Sequence, residues 1–575
     1  MFAYGRPLRH GRTPRAEPTL AQRATSAQSA PAAPRPILRI TRRPGPGNRH
    51  LGDAMAIAAL TLLLLLMCLS HILHGGLVAD DWAYRALAHF GGFSGVVSQQ
   101  IQQDVRRPLA AVYFATLFTT LGPHLKLLLA WSAGLRLIVA ILAYTILRQL
   151  QFAKFAALAL ACLVMLFPFS DSTWLWPTAS VLTFALACAL FGRALNLSTM
   201  SRNVHYRALR RILGLSFLAA GILSYELVAP LCCAFGSLYL LRTHKRRALF
   251  EWALDLAVLI VIMMVFTLHV VPVLHGQDVH EISDLAQMRQ HLGVMTTQSA
   301  NLVTQSLVPF GSPDNALVLG ILGVLVATAL VVVARAHVPD QHRRSLIVAL
   351  AVAGAGVIVV ILGYLPLIPA NIYYVPLQPG IGNRVNAVAA IGYVLILYGA
   401  VSLISTLPLW RPRRRLHRQL LSALILVAVG IGYLHIVDSH RSAWRQSVIL
   451  QETVLDDLRT HIPPPAHGAG ILTINAPLET APGVSVFDSS WDLNGAVQML
   501  WNDPSLRALP ILPAMTIVCL DSGLYVNSGP VLRSWQSSYP TYVLDVATDA
   551  VYTLDSRATC TSAAKALGIL ADDTR

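Results

Sequence analysis

Charged residues are scarce in this chain of 575 residues: Asp, Glu, Lys and Arg make up 13% of it. Soluble chains carry about a quarter, so a single large water-soluble enzyme is excluded. Seven cysteines spread over this length do not make a disulfide-rich scaffold. The 37 glycines show no triplet period, which removes collagen, and a hydrophobic content of 55% removes disorder. No Walker A loop, no dinucleotide fingerprint opening a βαβ unit, no HExxH, no GxSxG and no paired CxxC occurs. Nucleotide-driven transport and Rossmann chemistry therefore have no support, and no 20- to 50-residue repeat points to a solenoid or to matched transporter halves. What is present is apolar sequence in long runs, the mark of a polytopic membrane protein.

The net charge of +16 divides unevenly. Residues 1–50 hold ten Arg and one acid, Glu17, with prolines throughout and no apolar period. They read as a disordered basic cytoplasmic arm, which either clamps anionic headgroups or is a solvated tail that fixes topology. A mitochondrial transit peptide has a similar composition. Residues 438–575 hold eight basic and fourteen acidic residues.

Runs of about 20 apolar residues fall near 54–73, 125–147, 155–170, 178–195, 212–226, 227–241, 250–272, 315–335, 345–365, 385–407 and 419–437, eleven expected spans in all. Pro108–Leu121 is apolar over only fourteen residues, so it is expected to lie flat at the outer surface within an outer loop, 74–124. With the N-terminus inside, eighteen Arg and Lys fall in cytoplasmic connectors and only Arg85, Arg106, Arg107, Arg289 and Arg384 in outer ones. This positive-inside bias supports the chosen parity. The expectation is an all-α polytopic membrane protein, with a membrane domain at 51–437 and a small extracytoplasmic α/β domain at 438–575. Short runs such as GILTI, MTIVCL and TYVLDV, separated by Pro, Gly, Asn and Asp, supply the strands of that domain. Its two cysteines, Cys519 and Cys560, form either a disulfide or two buried thiols.

Residues 51–437 contain only thirteen acids, and nine of them, from Asp80 through Glu226 and from Asp278 through Asp314, fall near the outer face. Asp278, Asp284 and Asp314 read as solubilising loop residues. Asp80 and Asp81 follow the first span directly. Adjacent carboxylates repel, which suits a general base or a bound divalent cation; capping a surface helix is the alternative. Asp171 stands between two spans beside Trp174, and Glu226 sits where two spans meet. A carboxylate at such a depth is costly unless paired or functional; a bond to a neighbouring helix end would also account for Glu226. Arg106 and Arg107 precede the surface helix, and Arg384 follows a Pro- and Gly-rich turn. The guanidinium fork suits phosphate, with snorkelling to headgroups the alternative for Arg384.

The order of these features resembles polyprenyl-phosphate-sugar-dependent glycosyltransferases of the GT-C fold, the group of protein O-mannosyltransferases, lipid A aminoarabinose transferases and arabinosyltransferases. The likeness rests on the Asp pair in VADDWAY, the surface helix in RRPLAAVYFATLFTTLG, the stretch YTILRQL and the acid in FSDSTW, and covers residues 54–240. In that family an outer-loop acid serves as base or cation ligand, which falls on Asp80 or Asp81. The family's Lys-Pro-Pro-Leu motif is Arg107, Pro108, Leu109 here, with one proline missing. The resemblance implies a multi-pass protein of a bacterial cytoplasmic (inner) membrane. It implies inverting transfer of a sugar from a polyprenyl-phosphate-linked donor to a glycan, lipid or protein acceptor, with membrane lipids as surroundings and no nucleic acid. Asp80 and Asp81 would be the catalytic pair, Arg106, Arg107 and Arg384 the phosphate ligands, and Asp171, Glu226 and Trp174 the acceptor pocket. A transporter or lipid flippase, or a non-catalytic envelope assembly protein, is the competing reading.

Overall fold

The computed structural model describes residues 47–200, 206–274, 284–311, 315–334, 340–370, 374–406, 415–527 and 535–571. The arm up to residue 46, and with it Glu17, as well as Asp278, Glu281 and Asp314, lie outside them. Each of the eleven apolar runs is helical for most of its described length, but seven described helices are long and apolar enough to cross a membrane. These are Leu51–His74, Leu125–Gln149, Ser180–Ser198, Lys245–Leu274, Arg343–Leu367, Ala389–Thr406 and a stretch of the long helix Arg415–His461.

The expected count of eleven is therefore not reached on length and composition, for reasons that differ by element. The helix Lys154–Leu166 has 13 residues, about 20 Å at 1.5 Å per residue against the ~30 Å of a hydrocarbon core; Pro168 follows it. Glu226–Leu241 is broken into a 3-10 turn, a short α-helix and a second 3-10 segment. Arg207–Ser224 carries Arg207, Arg210 and Arg211 in its first turns. A helix that hydropathy does not reveal, Leu285–Leu307, is rich in Gln, Thr and Ser. Asp284 starts it with a capping box, accepting the Gln287 amide at 2.8 Å, so this acid has a structural role.

The segment 74–124, expected on the outer side, holds two helices. Asp80–Gln103 bends at Gly92, whose φ of 63° breaks the helical run. Pro108–Thr120 opens with proline in its first turn, where the missing N–H is no loss. Its 13 residues bury Tyr113, Phe114 and Phe118, and Tyr84 stacks on Phe114 and Phe118 at 4.5 and 5.5 Å between ring centres.

The long helix Arg415–His461 passes without a break through the boundary expected at 437–438, so the last span and the C-terminal domain share one rod. That domain has a four-stranded sheet in the order Arg507–Pro510, Gly470–Ile474, Thr541–Asp545, Ala550–Leu554, the first three parallel and the last antiparallel. A three-stranded antiparallel sheet, Thr516–Leu520, Gly523–Asn527 and Trp535–Ser538, stands beside it. Cys519 and Cys560 form a disulfide with their Cα atoms 5.9 Å apart, tying the smaller sheet to the helix Arg557–Ala566. A cross-link over a sequence separation of 41 residues restricts the unfolded chain by about 4 kcal/mol. Replacing both cysteines by serine should lower the melting temperature of the C-terminal domain clearly, read by differential scanning fluorimetry; an unchanged melting temperature would contradict this account.

Candidate active site

The chain leaves the first helix at His74, crosses residues 75–79 and turns into the helix Asp80–Gln103. Ala79 makes that turn at φ 47° and ψ −126°, a conformation that costs a non-glycine residue roughly 1–3 kcal/mol. Asp81 is fully buried, and both its oxygens are occupied: Oδ2 accepts the Val78 amide at 3.1 Å, and Oδ1 accepts the Thr178 amide at 2.9 Å and the Thr178 hydroxyl at 2.6 Å. Burial outweighs these donors and pushes its carboxyl up to about 7. Asp80 is only partly buried. Its carboxyl is raised by loss of water, lowered by the nearby Arg384 guanidinium and raised again by Asp488. Of the two neighbours, then, Asp81 is bound into the framework, and Asp80 is near enough to Arg384 for the guanidinium to favour its ionised form.

Arg384 belongs to the 3-10 segment Gly380–Asn386 and lies over the Trp176 ring, 5.0 Å from its centre. Two asparagines of the same segment fix its position. Asn383 donates to Asp171 Oδ1 at 2.6 Å and accepts from the Ser172 hydroxyl at 2.6 Å and amide at 3.2 Å. Asn386 donates to the carbonyls of Phe169 and Pro376 at 2.7 and 2.8 Å. Asp171 has no exposed surface, and its second oxygen is bonded to His440 Nδ1 at 2.6 Å. Trp174 is equally buried, edge-on to His71 at 6.0 Å. The stretch from Phe169 to Thr178 thus holds the Asp pair from one side and Arg384 from the other. Asp171 and Trp174, expected to line an acceptor pocket, are interior parts of that framework.

The remaining predicted residues form a second group. Arg107 is bonded through Nε to Glu226 Oε2 at 2.6 Å and through a second nitrogen to Oε1, lies 3.2 Å from Asp104, and stacks 4.0 Å above the Tyr225 ring. A residue expected on phosphate and one expected on the acceptor are therefore partners of each other. Arg106 is exposed, its amide donating to Asp104 Oδ1 at 3.2 Å. Tyr84 is drawn on electrostatically by both groups, by Asp80 and by Arg107 with Asp104, and burial with those acids keeps its hydroxyl well above its usual range.

Sequence reasoning missed Thr178, Asn383, His440 and Asp488. Asn383 adjoins a chosen arginine, but a neutral amide carries no signal until its partners are known. Asp488 comes from the C-terminal domain, which seats on the helix Asp80–Gln103. Trp82 donates through Nε1 to Gln451 at 2.6 Å and its ring meets Phe487 at 6.5 Å; Trp491 meets Tyr84 edge-on at 6.3 Å. A Cβ on Gly495 would fall 2.6 Å from the Trp82–Ala83 backbone, so only glycine allows that approach. The Ile381 amide donates to the Gly483 carbonyl at 2.8 Å, next to Gly380 at φ 57°. A cation on Asp81 would have to displace three donors. The described residues that could converge on a metal lie elsewhere, at Asp457, His461 and Asp549 on the C-terminal domain, with ligand atoms within 4.8 Å of one another.

Asp171→Ala leaves Asn383 and His440 without their acceptor, a loss of about 3 kcal/mol; thermal unfolding in detergent should show it, and a variant as stable as the parent would contradict the framework role. Asp81 gives a pH signature. Its folded pKa is raised, so its contribution to stability is full below about pH 4, where the unfolded chain is also protonated, and is lost as pH climbs to about 7. Melting temperatures taken from pH 4 to 7 should fall by less in Asp81→Asn than in the parent; parallel curves would count against this environment.

No family model and no curated protein matches the chain. Among solved structures, one neighbour is the archaeal oligosaccharyltransferase AglB from Archaeoglobus fulgidus in complex with an inhibitory peptide and a dolichol-phosphate. Another is the Archaeoglobus fulgidus oligosaccharyltransferase in complex with Zn and sulfate. Each aligns with 80% of this chain at 12% identity and a TM-score of 0.36. This chain spans less than two thirds of their length, 64% and 62% respectively.

Proposed function

We propose that the protein is a multi-pass membrane glycosyltransferase of the GT-C type, moving a sugar from a polyprenyl-phosphate donor to a hydroxyl of a glycan, lipid or protein acceptor. The observation that carries this reading is that Asp80 lies within electrostatic reach of Arg384, two groups about 300 positions apart in sequence whose supports meet on the stretch from Phe169 to Thr178. A sugar on a lipid phosphate already has a competent leaving group. The protein must take a proton from the acceptor and stabilise the phosphate as it leaves.

In this mechanism the acceptor oxygen forms a bond to the anomeric carbon while the bond from that carbon to the phosphate oxygen breaks. The acceptor proton goes to Asp80. The electron pair of the broken bond stays on the phosphate, where Arg384 meets the charge with its planar fork. Attack opposite to the leaving group inverts the anomeric centre. Asp81, held by Val78 and Thr178, positions Asp80, and Asp171 positions Arg384 through Asn383. Arg107 is engaged by Glu226 and Asp104, so Arg384 is the stronger candidate for phosphate. A raised Asp80 pKa suits a base that takes up a proton near neutral pH.

The reaction is assigned to the side of the membrane away from the arginine-rich connectors, with the N-terminus cytoplasmic and the C-terminal domain extracytoplasmic in a bacterial inner membrane. The Cys519–Cys560 disulfide supports an oxidising compartment for that domain. No divalent cation is required by this scheme.

Transfer from a polyprenyl-phosphate sugar by purified protein should fall about 100-fold or more in Asp80→Asn and in Arg384→Gln, with melting temperatures near that of the parent. Undiminished transfer in Asp80→Asn would remove the base; undiminished transfer in Arg384→Gln would remove the phosphate ligand.

A further inference from the structure

The outer end of the first helix forms a second polar site with the long helix Arg415–His461. A cavity of about 170 Å³ lies between them, with His71, His74 and Gly75 on one wall and Asp438, Arg441 and Arg445 on the other. Two arginines, Arg441 and Arg445, stand here one helical turn apart. Like charges at that spacing repel by a few tenths of a kcal/mol, and a single acid, Asp438, faces them.

That acid is already engaged. Asp438 is bonded to Arg441, which also donates to the Met67 carbonyl at 3.1 Å near the end of the first helix. Arg445 is exposed and has no ion pair or hydrogen bond among the described residues. His74 is tied through Nδ1 to the Ser70 carbonyl at 3.2 Å, which leaves Nε2 as its remaining polar atom. His71 is 4% exposed, and its Nε2 makes no hydrogen bond of good geometry, with the Leu175 carbonyl the backbone acceptor near the ring. A Cβ on Gly75 would fall 2.8 Å from the His71 ring, so glycine lets the imidazole lie against the chain. The cavity therefore gathers more cationic and donor groups than its one acid can satisfy.

The surroundings are apolar on the span side. Leu66 and Leu73, on the strip of the first helix next to Ser70 and His74, are 70% and 46% exposed. Ile431, two turns before Asp438 on the same face of the long helix, is 57% exposed. These side chains are suited to acyl chains, and the polar cavity comes where an apolar helix reaches headgroup depth.

We infer that this cavity binds the phosphate of an anionic membrane phospholipid, with Arg445 and Arg441 on the phosphate and Leu66, Leu73 and Ile431 along the chains. The site is separate from Asp80 and Arg384 but adjoins their support: residues 75–79 run from its wall to the Val78 amide that holds Asp81. A bound headgroup would pin that connection. A free phosphate ion shares the headgroup's chemistry, and the test distinguishes the two.

Purified protein is exchanged into mixed detergent micelles with phosphatidylglycerol or phosphatidylcholine, and retained lipid is counted by native mass spectrometry alongside the melting temperature. The expected result is preferential retention of phosphatidylglycerol with a raised melting temperature. Arg445→Gln should weaken that retention about tenfold, and Arg441→Gln/Arg445→Gln further. Arg445 is exposed and unpaired among the described residues, so its variant should fold, and an unchanged melting temperature in phosphatidylcholine verifies this. Equal retention of the two lipids, or equal retention by parent and variants, would overturn the proposal. Stabilisation by inorganic phosphate alone, equal to that by phosphatidylglycerol, would assign the cavity to the free ion and overturn the lipid assignment. None of these readouts measures sugar transfer, so the result stands or falls independently of the transferase reading.

Discussion

A carboxylate that must stay near an arginine at a membrane surface needs a scaffold that neutral hydrogen bonds can supply. Here the scaffold is the stretch from Phe169 to Thr178. Thr178 gives two donors to Asp81, Trp176 lies under Arg384, and Asp171 with Ser172 holds Asn383. Without these bonds Asp80 and Arg384 would be carried by elements with no direct reason to keep their distance. Direct pairing of two charges away from water is expensive, whereas fixing the neighbouring Asp81 and Asn383 by amides and hydroxyls leaves Asp80 and Arg384 available for a substrate.

The C-terminal domain belongs to this arrangement. It shares a continuous helix with the last apolar stretch, and it meets the outer loop through Trp82, Phe487, Trp491 and the glycine contact at Gly495. This seating brings Asp488 near enough to Asp80 to raise its carboxyl pKa. The environment of the proposed base therefore depends on two segments about 400 residues apart.

Much of this was legible in the sequence, and the rest was hidden for physical reasons. Apolar runs gave helices because burial in lipid leaves a strong compositional trace, whereas Leu285–Leu307 was silent because Gln, Thr and Ser dilute the signal. Run length predicts eleven spans, and helix length and composition support seven of them among the described residues, because proline or a short helix interrupts others, as at Lys154–Leu166 and Glu226–Leu241. Asp80, Asp81 and Arg384 stood out because charge is rare. Nothing in the order of residues showed that Arg107 and Glu226 face each other, or that Asp171 points into the framework, since pairing is set by tertiary contact. Asn383 and Thr178 are uncharged, and their role exists only through what they touch.

The most direct measurement is a cryo-EM structure of the protein with a polyprenyl-phosphate sugar bound, in Asp80→Asn to prevent turnover. The account predicts the donor phosphate on the Arg384 guanidinium and the anomeric carbon turned toward residue 80. A donor phosphate held at Arg107, or in the Arg441–Arg445 cavity, with Arg384 making no contact to it, would contradict the central claim.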